Sequence, residues 1–149
     1  MNGLDENIIV LFDRIETGKN IFELAKETVT SKRAFYIDGQ TEVDVREDVR
    51  KNFEASGDNI LIGYVSILGT GINIKRLKTI VLLCNTKSYS RVIQSIGRSL
   101  RLYETKDFAQ LVDVVYNFKY SQKHYLERQK IYKEIYNKKK PDEVIHLEI

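Results

Sequence analysis

Apolar residues in this chain occur in short dense runs, separated by longer stretches where they recur every three or four positions. The first kind has the length and density of a buried strand, and the second has the period of a helix with one face turned inward. Asn7 to Phe12 (NIIVLF) reads as a strand, and Glu16 to Thr28 as a helix that turns Ile21, Leu24 and Ala25 toward the core. Arg33 to Ile37 (RAFYI) is a second strand, closed by Asp38 and Gly39. Thr41 has the side chain to cap the next helix, in which Val45, Val49 and Phe53 repeat at four-residue spacing until Ser56-Gly57-Asp58 ends it. Further strands are predicted at Asn59 to Ile62, Thr79 to Leu83 and Leu111 to Tyr116, with Ser88 as the cap of a helix between the last two. Ser121 to Lys139 predicts a long helix. Pro141 bars its continuation, and VIHLEI suggests a final edge strand.

This alternation is the rhythm of a mainly parallel sheet with crossover helices. A single doubly wound α/β domain over residues 1–149 accounts for all of it, with residues 117–149 as its C-terminal helix and strand extension. In such sheets, ligands gather at the loops after the carboxyl ends of the strands. Here those loops are DGQTE after the second strand, GYVSILGTGIN after the third and NTKSYS after the fourth.

Composition narrows the class of protein. Of 149 residues, 42% are hydrophobic and 30% charged, with one proline and one cysteine, as suits a folded globular domain. Cys84 has no partner for an internal disulfide and lies in the run TIVLLC, which implies a buried, inert thiol and a reducing setting. The N-terminal stretch MNGLDENIIVLF has no basic region leading into an apolar one, and no apolar run nears the roughly 20 residues of a membrane span. The expected location is the cytoplasm, that of the host if the chain is phage-encoded, without membrane association. Net charge is +3, unevenly spread: five basic residues face one acid from Thr86 to Lys106, and eight face two from Lys119 to Lys140. The basic C-terminal half fits a polyanion, and a solvated helix face fits it equally well.

Several familiar chemistries are missing. ETGKN at 16–20 is not a phosphate-cradling P-loop, because Asp13 stands where its first glycine is needed and Asn20 where Ser or Thr would hold magnesium. GTGINI is not a dinucleotide fingerprint, since its third glycine would fall at Ile74. His124 and His146 are too isolated for a zinc site, and neither a serine elbow nor a cysteine-histidine pair points to covalent catalysis. No metal site is expected, and this chain alone lacks the groups to hydrolyse ATP.

One stretch does carry chemistry. In RVIQSIGRSLRL, residues 91–102, about 100° per residue puts Arg91, Gln94, Arg98 and Arg101 within roughly a quarter turn. Ile93, Ile96 and Leu100 form an aliphatic face on the other side. Three guanidinium groups so close repel one another, yet positions 88–103 contain no Asp or Glu to relieve them. That pattern awaits an anion from elsewhere, and the planar arginine fork suits phosphate oxygens.

Gln94-Ser-Ile-Gly97-Arg98-Ser-Leu-Arg101 resembles motif VI (QxxGRxxR) of superfamily 2 helicases, the arginine-finger motif of their second RecA-like lobe. The wider order agrees: YIDG at 36–39, Arg46 and Phe53 in the following helix, then ILIGYVSILGTGINI as motif V. GKxIFxLxK at 18–26 and GTGINIKRL at 69–77 look most like the C-terminal lobe of bacteriophage UvsW-type DNA helicases. The resemblance implies a RecA-like fold and a division of labour. ATP and Mg2+ would be bound mainly by a preceding N-terminal RecA-like ATPase lobe. This lobe would set Arg98 and Arg101 against the terminal phosphates, with Gln94 joining the lobes and Gly71 and Asn73 near the nucleotide. Gly39, Ser66 and Thr70 would grip the backbone of DNA, branched or not and with RNA as an alternative, and Lys87 and Ser88 would add to that grip. Two positions depart from the family pattern: Asn73 replaces a common aspartate, and Gly63, Tyr64 and Val65 stand where Ser or Thr usually follows the third strand. Two other classes stay open, a non-catalytic nucleic-acid-binding module of RecA-like fold and a small α/β domain with a basic phosphate pocket.

Overall fold

The computed structural model describes residues 7–68, 77–83, 110–114, 122–127 and 129–130. They build β1 (Asn7–Phe12), α1 (Ile15–Thr28), β2 (Arg33–Ile37), α2 (Val43–Ala55), β3 (Asn59–Tyr64), the short α3 (Val65–Leu68), β4 (Leu77–Leu83) and β5 (Gln110–Asp113). The five strands form one sheet in the order β2-β3-β1-β4-β5, and every pairing is parallel. β1 is central, with Val10 opposite Ile62 on one side and Val81 on the other. That position explains its nearly unbroken apolar run, since a strand covered on both faces has no solvent side to keep polar.

Alternation along the strands divides the core into two layers. Val10, Phe12, Ile60 and Ile62 form one layer with Ala25 of α1, and Ile21, Phe22, Ala34, Tyr36 and Tyr64 pack against it. The other face carries Ile9, Leu11, Phe35, Ile37 and Leu61, all buried, and α2 closes over it with the fully buried Phe53. Helices on both faces make the α/β fold doubly wound, as the alternating pattern predicts.

Differences from the sequence reading are local. α1 begins at Ile15 and turns Phe22, rather than Leu24, toward the aromatic layer; Leu24 is 53% exposed. Phe53 is buried as expected, but Val45 is 46% exposed, because only the C-terminal part of α2 lies on the sheet. The residue preceding α2 is Glu42, and no side chain caps the helix. Thr41 instead turns back to Asp38. Within the loop expected after the third strand, β3 continues to Tyr64 and α3 adds a helical turn. β4 starts two residues early at Leu77, and β5 covers Gln110–Asp113, starting one residue before the expected Leu111; Tyr116 lies outside the described residues. Residues 122–127 and 129–130 are helical, in line with the long helix predicted there. Cys84, the helix expected after Ser88 and the edge strand expected after Pro141 lie outside the described residues.

Candidate functional site

Of the residues singled out from the sequence, Gly39 and Ser66 are described. Arg98, Arg101, Gln94, Gly71, Asn73, Thr70, Lys87 and Ser88 all lie outside the described residues. Gly39 and Ser66 follow the carboxyl ends of two adjacent strands, β2 and β3, whose last mutual pair is Ile37 with Gly63. Both belong to the edge where open parallel sheets bind ligands. Ser66 is exposed in the first turn of α3, beside the buried Val65.

The turn at Gly39 is held from two sides. On the inner side Asp38, only 6% exposed, acts as the hub. Its Oδ1 accepts from the Gln40 N–H at 2.8 Å and the Thr41 N–H at 3.2 Å, and its Oδ2 accepts from the Tyr36 hydroxyl at 3.0 Å. The Asp38 N–H in turn donates to Thr41 Oγ1 at 3.0 Å. On the outer side Arg46 reaches back from α2, donating from Nε to the Thr41 carbonyl at 2.7 Å and from Nη2 to the Gly39 carbonyl at 3.1 Å. Short polar side chains that bond the backbone two or three residues on are what let a turn this tight replace ladder hydrogen bonds.

The hub stays charged. Burial works against the Asp38 carboxylate, but the Gln40 N–H, the Tyr36 hydroxyl and Thr41 together bring its pKa below the ordinary value. Tyr36 moves the other way: burial, then its hydrogen bond to Asp38 and the charge of that carboxylate, raise its hydroxyl to about 12. At neutral pH the pair is therefore a phenol donating to a carboxylate. Its ring is fixed as well, stacked on Phe12 at 5.7 Å between centroids and tilted against Phe22 at 5.5 Å. α1 can approach this aromatic layer because position 18 is glycine, where an added Cβ would collide with the Phe12 ring.

Gly39 presents the opposite case. A Cβ built on it meets nothing within 4 Å. Internal packing therefore does not require glycine here, and the space where a side chain would stand is open for a backbone to come close.

Arg46 is the residue whose role sequence reasoning missed; it entered only as part of a family pattern. A usable signal was present, because a cation in the first turns of a helix opposes the helix dipole and invites a search for another task.

Among the described residues no group of three or more His, Cys, Asp or Glu could hold a metal ion, and no helix is long and apolar enough to cross a membrane. Residues 1–103 match the helicase conserved C-terminal domain, a span that includes the turn at Gly39 and the arginine-bearing stretch 91–102. The chain belongs to that helicase family.

Particular relatives refine this. The ATP-dependent DNA helicase uvsW of Enterobacteria phage T4 is 32% identical over 111 residues, or 74% of this chain. The chain spans only 22% of that relative's length. The crystal structure of T4 UvsW superposes with a TM-score of 0.64 at 28% identity, covering 88% of this chain and 29% of that one. The C-terminal domain of the DEAD-box protein Dbp5 shares the fold, with a TM-score of 0.65 at 13% identity over 88% of this chain and 72% of its own. So does the Sulfolobus solfataricus SWI2/SNF2 ATPase core in complex with dsDNA, with a TM-score of 0.52 at 17% identity over 74% of this chain and 22% of its own. This helicase lobe is a RecA-like C-terminal lobe of superfamily 2 type, resembling UvsW.

Proposed function

We propose that this lobe is the second half of an ATP-driven DNA motor, supplying Arg98 and Arg101 to a nucleotide held on a partner ATPase lobe and gripping the nucleic-acid backbone at its strand ends. The observation that carries the reading is the family match over residues 1–103, which contains the whole QSIGRSLR stretch. Guanidinium groups without local acids are suited to the charge that develops on a transferring phosphoryl group. Gln94 would couple the two lobes, and Gly71 and Asn73 would lie near the nucleotide. ATP would supply the driving free energy when bound. Its Mg2+ would be held mainly by the partner ATPase lobe.

For the nucleic acid, Gly39 and Ser66 sit at neighbouring strand ends, and Thr70, Lys87 and Ser88 would extend the same edge. The Sulfolobus neighbour was solved with dsDNA, and the uvsW relative is a DNA helicase, which favours DNA as the track. Closing and opening of the two lobes would then move the strand-end contacts along that track.

The test is ATP turnover, with and without DNA, by the protein that joins this lobe to its ATPase lobe. Arg98→Ala and Arg101→Ala should each abolish turnover while DNA affinity is retained. Turnover surviving in both variants would refute the arginine-finger role. DNA binding with no turnover in the unsubstituted two-lobe protein would favour a non-catalytic binding module.

A further inference from the structure

We propose that Arg46 is a positioning residue for the nucleic-acid contact at Gly39: it fixes the turn 38–41 from outside through two backbone carbonyls and does not itself neutralise a phosphate. This rests on the reading of the Gly39 strand end as part of the DNA grip. The geometry favours the indirect role. Arg46 commits Nε and Nη2 to the carbonyls of Thr41 and Gly39, at 2.7 and 3.1 Å. Asp38 holds the N–H groups of Gln40 and Thr41 from the opposite side. With the Gln40 and Thr41 amides and the Gly39 and Thr41 carbonyls all held, the turn is braced before any ligand arrives. Among the described residues the Gly39 N–H makes no hydrogen bond, and no side chain approaches within 4 Å of where a Cβ would stand. A phosphate oxygen is the kind of acceptor such an N–H takes at a strand end.

Fixing the donor before the ligand arrives removes an ordering cost from binding. The guanidinium presents Nε and Nη2 at a fixed spacing to carbonyls two residues apart, a geometry that a lysine ammonium on its flexible stem does not reproduce.

The experiment measures DNA affinity by fluorescence anisotropy of a labelled oligonucleotide over a range of salt concentrations, alongside thermal melting. It uses the unsubstituted chain, Arg46→Lys, Arg46→Ala and Gly39→Val. Arg46→Lys keeps the charge and loses the fork, so it should weaken binding about as much as Arg46→Ala. For the loss of one or two modest hydrogen bonds that is roughly tenfold. The slope of log affinity against log salt should be unchanged in both, because no phosphate contact is removed. Full affinity in Arg46→Lys, with a slope lowered by about one in Arg46→Ala, would mean direct phosphate contact and would overturn the proposal. Undiminished binding in both Arg46 variants, with Gly39→Val impaired, would also overturn it while leaving the strand-end reading intact. Should none of the three variants affect binding, the strand-end reading itself fails. If Arg46→Ala does not melt cooperatively, Arg46→Lys decides the matter alone, since it keeps the aliphatic stem and the charge.

Discussion

Asn7 and Asn59, at the amino ends of two adjacent parallel strands, hold the same end of α2. The Asn7 amide donates to the Phe53 carbonyl at 2.9 Å and the Ser56 carbonyl at 3.1 Å; the Asn59 amide donates to the same two at 3.2 and 2.9 Å. Asn7 Oδ1 also accepts the Asn59 N–H at 3.0 Å. Both side chains are almost wholly buried, at 0% and 3% exposure. The last carbonyls of a helix have no intrahelical donor, and a buried helix end left so is costly. Here two strand residues supply the donors, which fixes α2 to the sheet at the end away from the Gly39 turn.

Replacing either asparagine should therefore cost more than a lost surface hydrogen bond. Asn7→Leu leaves the Asn59 N–H without its acceptor, and destabilisation of about 1–3 kcal/mol is expected. Urea denaturation at neutral pH measures it. Asn7→Asp should be worse than Asn7→Leu, because it sets a carboxylate against two carbonyl oxygens in a buried site.

Glycine at position 18 makes an opposite demand. In an ordinary helix interior Gly→Ala gains about 1 kcal/mol from propensity. Here the new methyl meets the Phe12 ring, which is itself fully buried and stacked on Tyr36. Overpacking of this kind costs about 1–3 kcal/mol, so Gly18→Ala should destabilise. A double-mutant cycle with Phe12→Leu checks the cause: the two changes should be clearly less damaging together than their sum, since the smaller side chain frees the space.

How far the fold was legible follows from where each signal resides. Asn7–Phe12 and Arg33–Ile37 were found to the residue, because dense apolar runs bounded by polar residues have few readings. Leu24, expected to face inward, and Val45, which shares a four-residue repeat with Phe53, are both exposed, because such spacing shows that a stripe exists but not how far along the helix it stays on the sheet. Thr41 looked like a helix cap because its hydroxyl was judged by position alone. The competing partner, Asp38, becomes visible only once the turn is built. The Asn7–Asn59 pair is a contact across 52 residues, which no local pattern encodes. Near the candidate site, the strand end before Gly39 is legible in the sequence, whereas the clamp by Arg46 required geometry.

Asp58 has a φ of 63° and is the non-glycine residue in the left-handed region among those described. Its Oδ1 receives Lys32 Nζ at 3.3 Å, and its carbonyl accepts the Arg33 N–H at 3.0 Å. Asp58→Gly relieves backbone strain and loses the side-chain contact, two effects of about 1 kcal/mol each with opposite sign. Asp58→Ala keeps the strain and loses the contact. The melting temperature should thus stay near that of the unsubstituted chain for the glycine variant and fall for the alanine variant. An alanine variant as stable as the glycine variant would show that the left-handed backbone at position 58 carries no such strain.

The Tyr36–Asp38 pair makes stability depend on pH at both extremes. Asp38 titrates below its ordinary range in the folded chain, so its contribution is present above the unfolded carboxylate value of about 3.9 and is lost as pH falls through the folded value. Tyr36 is raised from 10.0 to about 12, so its contribution is complete below pH 10 and disappears as pH rises toward 12. Between these limits the pair contributes no slope. Tyr36→Phe keeps the ring that stacks on Phe12 and removes the hydroxyl that donates to Asp38. It should flatten the alkaline limb of a stability–pH profile. The acid limb should move to higher pH, because Asp38 loses one of the donors that keep it ionised. Chemical denaturation at a series of pH values reads both limbs, and an acid limb that stays in place would show that the Gln40 and Thr41 donors suffice without the phenol.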